Sequence, residues 1–180
     1  MKILNNLNDV SKNPKAITVG NFDGIHKGHQ ALINKTKEIS TKNNVESLIF
    51  TFNKLPKEIF SPDTVQRLYD NKIKESILSS YKINTLLSID FNEIKDYSAD
   101  FFCEEILIKK LNAQYLIIGE NFKFGKDRSG DIEKLRKFNS KKAFELIVPK
   151  LEKHNGVKIS SSRIRNLLNQ GDIIGARELS

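Results

Sequence analysis

Cysteine is almost absent from this chain of 180 residues, which contains one cysteine and no tryptophan. A single cysteine excludes an intramolecular disulfide framework and a cysteine-based zinc cluster. Cys103 lies in the apolar-rich run S-A-D-F-F-C-E-E-I-L-I, residues 98–108. We predict a buried, unreactive thiol, because apolar surroundings disfavour the thiolate.

Long apolar runs are also missing. None approaches the roughly 20 residues that span a bilayer, and residues 1–15 alternate apolar with polar side chains, unlike a signal peptide. With 38% hydrophobic and 29% charged residues, the chain has the size and composition of one globular domain with its own core. We predict a soluble, cytoplasmic protein of one domain with no membrane partner.

Acidic residues are outnumbered, 22 against 30 lysines and arginines, which gives a formal net charge of +8. Such an excess is typical of nucleic-acid-binding surfaces and of proteins that bind anionic small molecules such as nucleotides. Most lysines are scattered, and the one dense basic cluster with aromatic neighbours is F122-K-F-G-K-D-R128. We therefore expect no nucleic-acid partner.

Strands and helices are predicted to alternate. Short β-rich apolar runs indicate strands, and apolar residues at helical spacing indicate helices. The predicted strands are residues 16–20, 45–52, 84–90, 113–119 and 143–149. The predicted helices are residues 31–40, 73–81, 98–110 with Ser98 as cap, 131–138, a helix capped within 160–162 that ends at 168 before Gly171, and 172–179. The stretch 54–70 is predicted to be irregular or partly helical.

This alternation predicts an α/β fold in which a parallel sheet carries helices on both faces. Ligands of such sheets bind beyond the carboxyl ends of the strands, near the point where the strand order switches. Three chemically unusual segments, residues 20–29, 119–130 and 159–165, each follow a predicted strand. We expect them to share one crevice.

The first segment is G20-N-F-D-G-I-H-K-G-H29. Gly28 leaves room for a phosphate near the backbone, and a helix that starts near His29 offers unpaired N–H groups to an anion. His26 and His29 add two further donors. The alternatives are a polar turn with exposed histidines or a metal-binding pair, although no third ligand follows at a zinc-site spacing.

The second segment, I159-S-S-S-R-I-R165, places three hydroxyl groups at a predicted helix start, followed by two arginines. Ser161 or Ser162 is a candidate N-cap, and the hydroxyls with a guanidinium group also suit a polyphosphate. Arg163 and Arg165 cannot both face the same side of a helix. One of the two is therefore expected to be structural or exposed.

The third segment, G119-E-N-F-K-F-G-K-D-R128, combines two phenylalanines with glycines and an asparagine. Phe122 and Phe124 either pack against the sheet or form a wall for a planar ring, to which Asn121 would donate hydrogen bonds. This segment alone leaves both possibilities open.

Together, the three segments in this order and spacing resemble the FMN adenylyltransferase (FAD synthetase) module of the bacterial bifunctional riboflavin kinase/FAD synthetases. The ending L167-L-N-Q-G-D-I-I-G-A-R-E-L179 is similar too, so that the resemblance covers nearly the whole chain. It implies a Rossmann-like nucleotidyltransferase fold over residues 1–180. It also implies transfer of AMP from ATP to the phosphate of FMN, with Mg²⁺, to give FAD and pyrophosphate.

The resemblance further implies roles for individual residues and leaves the metal ligands unassigned. The catalytic residues would be His26, His29 and Arg165. The ATP-binding residues would be Gly20, Asn21, Phe22, Asp23, Gly28, Ser161 and Ser162. The flavin-binding residues would be Thr51, Phe52, Asn121, Phe122, Phe124 and Arg128. The FMN phosphate is already an anion, so such a reaction depends on positioning and charge neutralisation rather than on a strong base.

Two features depart from the family pattern. The segment T51-F-N-K-L-P56 keeps only the second proline of the usual T-F-x-P-x-P, which leaves this part of the flavin pocket in question. The family's riboflavin kinase module has no counterpart in this sequence, and we predict no phosphorylation of riboflavin. Two alternatives stay open, a nucleotidyltransferase with another phosphate acceptor, such as nicotinamide mononucleotide or phosphopantetheine, and a non-catalytic flavin- or nucleotide-binding module.

Overall fold

The framework of the molecule is a six-stranded sheet in which every pairing is parallel. The computed structural model describes residues 1–60, 66–150 and 153–180. The strands are β1 (Lys2–Leu4), β2 (Lys15–Val19), β3 (Glu46–Phe52), β4 (Thr85–Ile89), β5 (Ala113–Ile117) and β6 (Glu145–Ile147). Their order is β1-β4-β3-β2-β5-β6. A small antiparallel hairpin, β7 (Lys153–His154) and β8 (Val157–Lys158), lies outside the sheet.

Helices connect the strands and close the chain. The α-helices are α1 (Lys27–Asn43), α2 (Pro56–Phe60), α3 (Asn71–Ser80), α4 (Ala99–Phe101), α5 (Ile132–Ser140), α6 (Ser161–Asn169) and α7 (Ile173–Leu179). Short 3-10 helices cover Leu7–Asp9, Phe91–Glu93 and Lys126–Arg128. Helix α4 continues directly into a π-helix, Phe102–Lys110. No helix among the described ranges is both long and apolar enough to cross a membrane.

Hydrophobic clusters cover both faces of the sheet, as the sequence predicted. Successive side chains of a strand point to opposite faces, so Ala16 and Ile17 of β2 belong to different clusters. On one face, Ile33 of α1 and Leu78 of α3 pack against β3 and β4. On the other face, the π-helix and α5 pack on the sheet, and Cys103 is fully buried there. The predicted burial of Cys103 is confirmed, and burial raises the pKa of this thiol to about 12.

The predicted elements are present with shifted bounds, and strand β1 and the β7–β8 hairpin were not predicted. Ser98 is the N-cap of α4, as expected, since its hydroxyl accepts from the Phe101 N–H. The three-residue edge strand β1 is too short for its sequence to show the alternation of apolar and polar side chains that predicts a strand. The β7–β8 hairpin turns at Asn155 and Gly156, both in the left-handed region, and an Asn-Gly pair is a hairpin signal. Of the stretch 54–70, α2 is helical, and residues 61–65 lie outside the described part.

The strand order places the carboxyl ends of β2 and β5 at the centre of the sheet. Strands β2 to β6 follow the 3-2-1-4-5 order of doubly wound folds, with β1 added beyond β4. The order switches between β2 and β5, where ligands of such folds bind. Residues 20–29 leave β2 and residues 119–130 leave β5 at this edge.

Candidate active site

A single cavity of about 820 Å³ lies at this edge, within the size range of small-molecule sites. It brings together the first, second and third segments. From the first segment it is lined by Gly20, Asn21, Phe22, Asp23, His26, Gly28 and His29; from the second by Ser160, Ser161, Ser162 and Arg165; and from the third by Asn121, Phe122, Phe124 and Arg128. The expected common crevice is therefore present.

The backbone of the first segment is strained. Phe22, Gly24 and Ile25 all have positive φ, at 49°, 76° and 36°, although Phe22 and Ile25 are buried and Ile25 is β-branched. Such conformations cost about 1–3 kcal/mol each for a residue with a side chain and concentrate at functional sites. This signal is invisible in the sequence, where only Gly24 indicates a turn.

The two histidines of the first segment are stacked. Their ring centroids are 3.7 Å apart with an interplanar angle of 15°, and the Phe22 ring lies 5.1 Å from His29. His26 is the N-cap of α1, and its Nδ1 accepts a hydrogen bond of 3.3 Å from the His29 N–H. The expected free N–H at the start of the helix is thus already occupied at His29, because the side chain of His26 competes for it.

Burial keeps both imidazoles neutral at pH 7. It lowers the pKa of His26 from 6.5 to about 4. The pKa of His29 also lies well below 6.5, because of burial and the neighbouring His26. Since Nδ1 of His26 accepts a hydrogen bond, the ring carries its proton on Nε2 and can donate from there. Nδ1 of His29 is buried without a partner among the described residues.

The serines of the second segment have distinct positions. Ser160, rather than Ser161 or Ser162, is the N-cap of α6, because its hydroxyl accepts from the Arg163 N–H at 3.3 Å. The Ser161 hydroxyl instead donates to the Asp23 carbonyl at 2.8 Å and so joins the second segment to the first. Ser162 lines the cavity.

The two arginines of α6 face different surroundings, as the helical spacing predicts. Arg165 lines the cavity, forms an ion pair with the Asp23 carboxylate and donates from Nε to the Gln66 carbonyl at 2.7 Å. Arg163 donates to the carbonyls of His154 and Val157 and holds the hairpin on α6. Of the two guanidinium groups of α6, that of Arg165 thus lies at the cavity.

Aromatic side chains line the opposite end of the cavity. Phe122 stacks on Phe124 at 5.4 Å, and Phe124 is itself part of the main core. Phe52 contacts Phe91 edge-on at 5.1 Å, and Phe91 contacts Phe60 at 6.1 Å. This end is therefore an apolar slot whose walls come from separate parts of the chain.

Several lining residues were not expected from the sequence. These are Leu32, Leu55, Pro56, Phe60, Phe91, Ile94, Lys95, Phe102, Lys123, Asp127 and Lys158. Phe91 carried one available signal, since it follows the predicted strand 84–90 at the carboxyl edge of the sheet. Phe60 carried none, because only the fold brings α2 to the cavity.

Thr51 lies behind the cavity wall rather than in it. This expected flavin-side residue is fully buried, and its hydroxyl donates to the Asn21 carbonyl at 3.1 Å. Lys74 of α3 approaches from behind, donating to the Phe52 carbonyl at 2.7 Å and to the Thr51 hydroxyl at 3.4 Å. Burial lowers the pKa of Lys74 to about 8. Both side chains hold the end of β3 in place.

The carboxylates that the structure describes near the cavity do not form a preassembled metal centre. No group of three or more His, Cys, Asp or Glu side chains suited to a metal occurs within the described ranges. Asp23, the carboxylate of the first segment, already contacts Arg165 and the Leu68 N–H. This donor set suits a cation that brings most of its ligands with it.

Comparison with known proteins adds a family match. The family model described as FAD synthetase matches residues 8–163. Two curated relatives are both named "Bifunctional riboflavin kinase/FMN adenylyltransferase". The protein from Buchnera aphidicola subsp. Schizaphis graminum is 37% identical over 98% of this chain and 57% of its own length. The protein from Escherichia coli K12 is 29% identical over 99% of this chain and 59% of its own length. The chain thus spans less than three-fifths of the length of these relatives.

A solved structure has the same fold. It is a crystal structure described as a macrolide-efflux protein from Streptococcus pneumoniae, with a TM-score of 0.82 and 28% sequence identity. The match covers 98% of this chain and 58% of that one. The predicted parallel α/β fold is confirmed by this likeness and by the strand order described above.

Proposed function

Because this chain belongs to the FAD synthetase family, we propose that it transfers AMP from ATP to FMN. In this reaction a phosphate oxygen of FMN attacks the α-phosphorus of ATP. The bond from the α-phosphorus to the oxygen bridging to the β-phosphate breaks, and pyrophosphate leaves as FAD forms. No proton has to be removed from the nucleophile, so the protein's task is to align the two phosphates and offset their charge.

The observation that carries this proposal is the division of the single cavity into two chemically different ends. One end gathers neutral imidazoles, hydroxyls and the guanidinium group of Arg165, which suit a polyphosphate. The other end is a slot of phenylalanines, which suits a planar ring. A polyphosphate and a flavin bound in these two ends would meet in the middle of the cavity.

At the phosphate end, we assign the catalytic contacts to His26, His29 and Arg165. Each neutral imidazole donates one N–H, and Arg165 supplies the positive charge. Ser161 and Ser162 stand at the start of α6, where the helix dipole favours an anion. Arg165 would have to exchange its bond to Asp23 for one to the nucleotide. The remaining residues of the first segment, Gly20, Asn21, Phe22, Asp23 and Gly28, shape the nucleotide site.

At the aromatic end, we assign the isoalloxazine ring to the slot between Phe52 and Phe122. Asn121 offers an amide to the polar edge of the ring, and Arg128 offers a cation at the cavity mouth. Phe124 supports Phe122 from the core. Thr51 acts through the end of β3 instead of through direct contact with the flavin.

We propose that Mg²⁺ enters with ATP as part of the substrate. Magnesium keeps several of its waters and is held in many enzymes chiefly by substrate phosphates and one or two carboxylates. When bound, it would neutralise phosphate charge during attack and departure of pyrophosphate.

The proposed extent of this activity is one adenylyltransferase domain over residues 1–180. We expect no riboflavin kinase activity from it. The curated relatives are longer and their names include riboflavin kinase. We therefore propose a riboflavin kinase domain as the partner of this adenylyltransferase domain in a longer chain. We place this activity in the cytoplasm.

The test is a chromatographic assay with ATP, Mg²⁺ and either FMN or riboflavin. We expect FAD from FMN and no FMN from riboflavin. A double variant, His26→Ala/His29→Ala, should form no detectable FAD, whereas His154→Ala is the matched control because His154 lies outside the cavity lining. A folded wild-type chain that forms no FAD would overturn the proposal, and formation of FMN would overturn the absence of kinase activity.

A further inference from the structure

Three consecutive residues, Gln66, Arg67 and Leu68, connect the two ends of the cavity. We call them the 66–68 segment. Toward the phosphate end, the Gln66 carbonyl accepts from Arg165 Nε at 2.7 Å. The Leu68 N–H donates to the Asp23 carboxylate at 3.1 Å. Both partners of the Asp23–Arg165 ion pair are therefore held by the backbone of this segment.

Leu68 also contacts the phosphate end through its side chain. A Cβ atom added to Gly24 would lie 2.5 Å from the Leu68 Cδ1 atom. The same side chain packs against the apolar cluster of Ile159, Ile164, Ala176 and Leu179 beneath α6. The Leu68 side chain thus packs between the first segment and α6, the helix that carries Arg165.

Toward the aromatic end, Arg67 holds the loop that follows β3. It donates to both carboxylate oxygens of Glu58, to the Asn53 carbonyl at 2.8 Å and to the Asn71 side chain at 2.9 Å. Glu58 accepts in turn from the Leu55 N–H at 2.7 Å. A bidentate arginine–carboxylate pair is directional and fixes geometry as well as charge.

This loop provides the wall of the apolar slot. Leu55, Pro56 and Phe60 line the cavity between Asn53 and the end of α2. Arg67 and Glu58 are partly buried, with side chains 25% and 21% exposed. A paired arginine at that depth is costly to rearrange, since breaking a buried pair leaves charges without compensation.

We propose that Arg67 is a positioning residue that couples binding at the two ends of the cavity, so that a bound nucleotide strengthens the binding of FMN. The proposal rests on the proposed function for the identity of the ligands. A polyphosphate that draws Arg165 from Asp23 would act on the two side chains to which the backbone of the 66–68 segment is bonded. Through Arg67, the same change reaches the loop at the aromatic end. By thermodynamic linkage, FMN strengthens nucleotide binding by the same factor.

The test measures this coupling directly. FMN is titrated into the chain with and without α,β-methylene-ATP and Mg²⁺, since the methylene bridge prevents transfer. In the wild type, we expect the analogue to tighten FMN binding about 5- to 150-fold, the usual range of such couplings. In Arg67→Gln, the ratio should fall to near one, while the affinity for the analogue alone changes much less.

Two further variants keep the test decisive. If Arg67→Gln fails to fold, Glu58→Gln takes its place, and it should also lower the ratio of FMN affinities with and without the analogue. Arg136→Gln is the matched control, because Arg136 forms an exposed pair with Glu133 on α5, away from the cavity. If the wild type forms FAD but shows no coupling, this inference alone is overturned. The same holds if the coupling is unchanged by both Arg67→Gln and Glu58→Gln. A wild type that forms no FAD overturns the proposed function and this inference with it.

Discussion

The two ends of the cavity are built in opposite ways. The phosphate end comes from two short segments, 20–29 and 160–165, whose residues contact one another and are locked by hydrogen bonds and by strained backbone. The aromatic end collects phenylalanines from β3, α2, the turn after β4 and the loop after β5. A polyphosphate needs several donors at fixed positions, whereas a planar ring needs only matching walls. The phosphate end should therefore tolerate substitution less well than the aromatic end.

The largest expected effect is that of removing the guanidinium group at the phosphate end. Arg165→Gln should lower kcat for FAD formation about 100- to 1000-fold, the usual cost of losing one preorganised donor to a developing charge. Arg163→Gln is the matched control on the same helix and should retain most of the activity. An Arg165→Gln protein that is folded and active within a few-fold of wild type would contradict the assignment.

Low pH should reduce the free energy of unfolding through His26, at the phosphate end of the cavity. Between pH 6.5 and about 4, the unfolded chain binds a proton at His26 that the folded chain does not bind. The free energy of unfolding therefore falls as the pH falls through this window. The full shift corresponds to about 3 kcal/mol for His26.

Urea unfolding of wild type and His26→Gln near pH 7 and pH 4.5 measures this contribution. We expect the variant to lose less stability over the interval than wild type does. The control is His154→Gln, whose ring lies outside the cavity lining and contacts Glu178. Equal losses in wild type and His26→Gln would mean that His26 is not held neutral by the fold.

A smaller effect is expected from removing one aromatic ring at the aromatic end. Phe91→Ala removes the edge-on support of Phe52, one wall of the slot. It should raise the KM for FMN by about tenfold, within the range of roughly 1–3 kcal/mol for a weakened aromatic stacking contact, and leave the KM for ATP nearly unchanged. Phe101→Ala removes a phenylalanine that is 43% exposed and does not line the cavity, so it should change neither value. Equal increases in both KM values for Phe91→Ala would argue against the division of the cavity.

The smallest effect separates backbone strain from contact. Gly24 and Gly171 have nearly the same φ, 76° and 78°, but a Cβ would lie 2.5 Å from Leu68 at Gly24 and would meet nothing within 4 Å at Gly171. Gly171→Ala should cost about 1 kcal/mol of unfolding free energy from left-handed strain alone. Gly24→Ala should cost more and should also reduce activity. Equal costs, measured by urea unfolding, would indicate that the Leu68 contact adjusts freely.

The same contrast explains what the sequence could predict. The phosphate end lies within short segments, so residue types and spacing were enough to predict that the segments of His26, His29 and Arg165 share one crevice. The parallel sheet followed from the alternation of strands and helices. Phe60 and Phe91 reach the cavity only through the order of the strands, which no local pattern contains. The named cap candidates of α6, Ser161 and Ser162, lie one and two residues after the observed cap, Ser160, because three successive serines give the same local signal.

The most direct test of the central claim follows the α-phosphorus of ATP. The purified chain is incubated with FMN, Mg²⁺ and ATP labelled at either the α- or the γ-phosphorus, and the products are separated by chromatography. We predict that the α-label appears in FAD and the γ-label in pyrophosphate. Absence of the α-label from any flavin product, in a protein that is folded, would contradict it.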